Sequence, residues 1–99
     1  MNRQTETEIQ FQEGMQKIYD FARDIAKQEG IKLKSLRLVD GLPLGCIDCH
    51  ELDIAAGGST VSVMLYRNEV EDYPGHAGID LTQAKIHNAI DRLKLQLEG

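Results

Sequence analysis

The chain contains no tryptophan and only three tyrosines and two phenylalanines among 99 residues. A core built on stacked aromatics is therefore excluded, and Ile, Leu, Val and Ala must fill it. Cysteine is almost absent, with Cys46 and Cys49 the only two. Residues 1–8 show no export signal, so both are expected to be reduced thiols or metal ligands. No stretch reaches the roughly 18 consecutive apolar residues that a membrane helix needs. The expectation is a cytoplasmic protein without a membrane partner. Positive charge is also short, with eleven Lys and Arg against sixteen Asp and Glu, a formal net charge of −5. A phosphate-tracking surface needs a field of the opposite sign, which disfavours nucleic acid as a partner. There is no Gly-x-Gly-x-x-Gly, no phosphate loop, and no Ser in the setting of a nucleophile elbow.

What remains is ordinary globular material. Hydrophobic residues make up 41% and charged residues 27%, enough to drive folding but too short a chain for two cores. Residues 1–99 are read as a single domain.

Apolar periodicity gives the elements. Phe11, Met15, Ile18, Phe21, Ala22, Ile25 and Ala26 fall on one face of a helix over about 5–29. Thr5-x-x-Glu8 reads as its capping box, and Gly30 as the left-handed residue that ends it. Residues 31–39 read as a strand, with a phase change near Ser35 that a bulge would reconcile. Residues 40–45 are a Gly/Pro turn. A second strand over 46–55 also switches phase, between Ile47/Cys49 and Leu52/Ile54. Gly57-Gly58 marks a hairpin, and residues 60–67 alternate cleanly as a third strand. Residues 68–80 read as a long irregular stretch, the kind often used for function. Asp80-x-x-Gln83 caps a last helix with Ile86, Ala89, Ile90, Leu93 and Leu97 as its stripe. The expected fold is α+β: a two-layer α-β-β-β-α domain, its three-stranded antiparallel meander covered on one face by both helices.

Cys46-Ile47-Asp48-Cys49-His50 is the densest chemical segment. Its spacing matches covalent haem attachment, which normally takes place outside the cytoplasm, and no helix follows Cys49 as a thioredoxin-like site requires. Zinc is the better cofactor candidate, with Cys46, Cys49 and His50 as ligands and His76 completing four. His87 could serve in place of His76, but it lies at the edge of the last helix's stripe and reads as a border residue. In a strand, Cys46 and Cys49 point to opposite faces, so plain structural cysteines compete with the metal reading.

Glu69, Glu71, Asp72, Tyr73 and His76 collect carboxylates, a phenol and an imidazole, a set capable of acid–base work or of meeting a partner. The spacing is not that of a calcium loop. No catalytic group stands out.

The helix–three strands–helix order resembles that of the double-stranded-RNA-binding domain. That family carries a basic cluster at the start of its last helix and a histidine-bearing loop between its first two strands. Here Asp80 to Lys85 holds one cation and residues 40–45 hold no His. Lys27, Lys32, Lys34 and Arg37 form the main basic group, too small to track phosphates. The resemblance is one of element order, which implies nothing about binding by itself.

Protein association is the last class. Leu81, Ala84 and Leu95 line up on the last helix roughly opposite its core stripe, and Ile9 lies opposite the core face of the first. A three-stranded sheet also has two edges open to pairing. The sequence therefore points to a non-enzymatic binding module, a homodimer or the partner of another protein. It would act through Leu81, Ala84 and Leu95, through Glu71, Asp72 and Tyr73, and through a sheet edge.

Overall fold

Helix periodicity, strand alternation and a two-glycine hairpin lay out two helices and three strands, to which the structure adds a short helix. The computed structural model describes residues 3–40, 48–73 and 79–98. Along them run α1 (Arg3–Gln28), β1 (Ser35–Asp40), β2 (Cys49–Ala56), β3 (Ser59–Tyr66), α2 (Arg67–Asp72) and α3 (Ile79–Glu98). The sheet is antiparallel in the order β1-β2-β3. Among the described residues no helix is long and apolar enough to cross a membrane.

The core lies between α1 and α3 and one face of the sheet. Ile18, Ala22, Ile25 and Ala26 of α1 meet Ile86, Ala89, Ile90 and Leu93 of α3, over Leu52, Ile54, Val61, Val63 and Leu65. Phe11, Met15 and Phe21 pack around them, only partly buried. The α+β two-layer expectation holds, with one helix added.

Two termini illustrate how local chemistry sets the boundaries. At the end of α1, Gly30 takes φ 74°. The Ile31 amide then donates to the Ala26 carbonyl at 2.8 Å and the Gly30 amide to Lys27 at 3.1 Å. This paired closure is the Schellman motif, which satisfies carbonyls the helix leaves over. At its start, Thr5 lies inside α1 rather than before it, so the expected capping box is corrected.

The apparent phase changes in the strands vanish because the strands are shorter than expected. β1 starts at Ser35, with Leu36 and Leu38 toward the core, and Ile31 and Leu33 belong to the connection before it. β2 starts at Cys49, and Leu52, Ile54 and Ala56 keep one phase to its end. No bulge is needed.

The hairpin also fixes which backbone groups face outward. Ala56 pairs with Ser59 across Gly57-Gly58, and Gly57 at φ 59° supplies the positive dihedral the tight turn requires. The closing pair of a two-residue hairpin is hydrogen-bonded, and such pairs recur at every second residue. Ser62 and Met64 therefore turn their amides and carbonyls away from β2, toward the free edge of β3. By the same alternation Leu36 and Leu38 turn theirs toward the free edge of β1.

Candidate functional site

Cys49 and His50 are successive residues at the start of β2, so their side chains leave opposite faces of the sheet. His50 shares its face with Leu52 and Ile54, and its ring lies 4.9 Å from that of Phe11. Cys49 is on the other face, opposite Tyr66, and is 2% exposed. Its sulfur is disulfide-bonded. A disulfide sulfur has no thiolate to offer a metal, so the expectation of a reduced thiol at Cys49 is corrected. His50 does not share a face with it. Cys46 and His76 lie outside the described residues.

The expected irregular stretch over 68–80 is also corrected at both ends, because residues 67–72 form α2 and α3 begins at Ile79, before the expected cap Asp80. The cause of α2 is local. The Glu69 carboxylate accepts the Tyr66 backbone amide at 2.8 Å, closing the first turn. Arg67 and Glu71 pair at 2.9 Å across one turn, and Val70 is fully buried. Arg67 also lies 4.7 Å over the Phe11 ring. This role holds the Glu71 carboxylate against α2. Tyr73 is 9% exposed, with its ring 6.5 Å from Phe21 and its hydroxyl accepting from Gln83 at 3.2 Å. It is a core residue with a satisfied polar tip. The side chain of Asp72 and residues 74–78 lie outside the described residues.

Glu69 does more than cap α2. Its second oxygen accepts the Thr82 hydroxyl at 2.8 Å, and Lys85 Nζ sits 2.8 Å from the first. Burial works to raise this carboxyl. The hydrogen bonds from Lys85, the Tyr66 amide and Thr82, together with the Lys85 charge, outweigh it and hold the group below its ordinary range. Sequence reading placed Glu69 in a solvated loop, whereas it joins β3, α2 and α3.

Both sheet edges carry side-chain caps. The Tyr19 hydroxyl accepts the outward Leu38 amide of β1 at 2.8 Å. On β3, Lys85 Nζ lies 3.4 Å from the Met64 carbonyl and an Arg92 guanidinium nitrogen 3.4 Å from that of Ser62. Natural sheets blunt edge pairing with charges and covering elements of this kind.

The second strip of α3 is open. Leu81 is 59% and Leu95 68% exposed, and Ala84 is exposed between them. Ile9 on α1 is exposed as well.

The basic residues divide between two tasks. Lys27 and Lys32, with Arg23, line a shallow groove of about 400 Å³ floored by Ala26, Ile31 and Leu33. These cations flank the C-terminus of α1, whose partial negative charge they complement. Arg37 stands across from Asp53 in the β1–β2 register. On the same outer face the Glu51 carboxyl is raised, chiefly by its hydrogen bond with Asp53. Among the described residues that face is mixed in charge.

No family model, curated protein or solved structure matches the chain.

Proposed function

We propose that this chain is a non-enzymatic interaction module that self-associates through the outer strip of α3. The supporting observation is the alignment of Leu81, Ala84 and Leu95, exposed and opposite the stripe of Ile86, Ala89, Ile90 and Leu93. These three fall within about 60° of one another on a helical projection, with Asn88 between them. A two-fold axis through Asn88 sets Leu81 of one copy against Leu95 of the other, as an isologous contact requires. The caps on both edges of the sheet favour α3 over strand addition as the contact.

The surface is narrow. A single helix strip buries well under the roughly 800 Å² per partner of a standard interface, so association is weak and concentration-dependent. The divergence of the Cys49 and His50 side chains on β2 favours this reading over a zinc domain.

Size exclusion with light scattering tests the proposal. At high concentration the mass should approach twice the 11.1 kDa of the chain. Leu81→Glu with Leu95→Glu should return it to one chain mass without loss of helical circular dichroism. A wild-type protein that stays monomeric throughout ends the self-association reading.

A further inference from the structure

We propose that Glu29, His87 and Asp91 form a binding site for a divalent transition-metal ion, at the seam where the end of α1 meets α3. One ligand atom from each lies within 4.8 Å of the others. Two carboxylate oxygens and one imidazole nitrogen are a borderline donor set, suited to zinc and its transition-metal neighbours rather than to calcium or magnesium.

The helix supplies most of the geometry. His87 and Asp91 are four residues apart on α3, which places them one above the other on one face. His87 Nδ1 and Asp91 Oδ2 are 3.3 Å apart. Two ligands about 2.0–2.1 Å from a tetrahedral ion stand roughly 3.4 Å apart. The pair thus already has the spacing that coordination demands, and only the third ligand has to close in. Glu29 comes from a different element, but its backbone is fixed in the closing turn of α1, its amide donating to Ile25 at 3.0 Å.

The site already draws a cation. Lys94 Nζ lies 3.0 Å from Glu29 Oε1. The Lys94 ammonium is stabilised first by its hydrogen bond and charge interaction with Glu29, and further by Glu98 and Asp91. Two of the three proposed ligands, Glu29 and Asp91, thus already favour a positive charge at this seam. The Lys94 stem is flexible and 40% exposed, free to swing into solvent when a metal takes its place. Three protein ligands leave a fourth position open to water or to a donor on another molecule, unlike the closed sets of structural zinc.

Lys94 is thus the built-in competitor, which gives a test with two opposite signs. Zinc binding is measured by calorimetry at neutral pH on the full chain, with circular dichroism confirming the fold of each variant. The wild type should bind one zinc ion. His87→Asn and Glu29→Gln should each weaken binding at least tenfold, and Lys94→Met should strengthen it several-fold. The imidazole resonances of His87 should shift on titration. Equal affinity in wild type and His87→Asn, or no effect of Lys94→Met, overturns the proposal. So does the absence of zinc binding in the wild type. Because Asp91 lies one turn from Asn88 on α3, the titration is run at a concentration at which light scattering reports a single chain, so that failure of zinc binding and failure of self-association are read separately.

Discussion

The two ends of α1 meet their neighbouring helices by different physics. Near the start, Gly14 passes directly against α2, and a methyl group there would run into the Val70 carbonyl oxygen. At the far end, Glu29 reaches Lys94 of α3 across a half-exposed surface. One contact is steric and closed to any side chain, the other electrostatic and open to exchange. A helix can therefore be fixed in position at one end while the other keeps groups free to trade a lysine for a metal ion.

Gly14→Ala tests the closed end and carries the largest expected effect. On helix propensity alone, alanine at an interior position stabilises by about 1 kcal/mol. A clash with backbone cannot be relieved by a rotamer change, so the net result should be destabilisation of about 3 kcal/mol, the upper end for overpacking. Urea denaturation measures it directly. A variant as stable as the wild type, or more so, would show that α1 and α2 do not approach this closely.

Glu69→Gln probes a junction between these extremes, since its side chain is 10% exposed and faces three donors. Replacing one acceptor oxygen by an amide group leaves a donor facing donors. The expected loss is about 1–2 kcal/mol by urea denaturation. The pH dependence has a definite sign. The folded-state pKa lies below the ordinary 4.5, so its contribution is fully present above that value. It disappears as pH falls through the lower folded-state pKa. The wild-type and Glu69→Gln stabilities should therefore converge on acidification below about pH 4.5. Parallel curves would mean that the carboxylate carries no net advantage.

Most of the architecture was legible because periodicity reports burial, although Leu97, counted in the stripe of α3, is 41% exposed near the helix end. Ile18, Ala22, Ile25, Ile86, Ile90 and Leu93 all face the core as their spacing requires. Gly30 and Gly57-Gly58 marked real turns because only certain residues tolerate positive φ. α2 escaped notice because six residues are too few for periodicity to register. Its signals were the Arg67–Glu71 spacing and the lone apolar Val70 among charges. The lone glycine at position 14, inside a helical pattern, was another unread sign of close approach. Convergence of Glu29 with His87 and Asp91 was out of reach, because it depends on how two helices separated by the whole sheet come to lie side by side. The Cys-x-x-Cys-His spacing said nothing of strand alternation, which sends the Cys49 and His50 side chains to opposite faces of β2.

Lys94→Met closes the series with the smallest expected change in stability. The Glu29–Lys94 pair is half-exposed, and water and salt screen most of what such a pair could contribute. The shift in urea midpoint should fall well below that of Glu69→Gln and shrink further as salt shortens the reach of charge. The same substitution should raise zinc affinity, so one variant separates the two meanings of this contact. A large, salt-insensitive loss would make the far end of α1 as rigidly specified as the Gly14 end, and the contrast between them would fail. A negligible loss together with tighter zinc binding would show that Lys94 guards the carboxylates rather than holding the helices together.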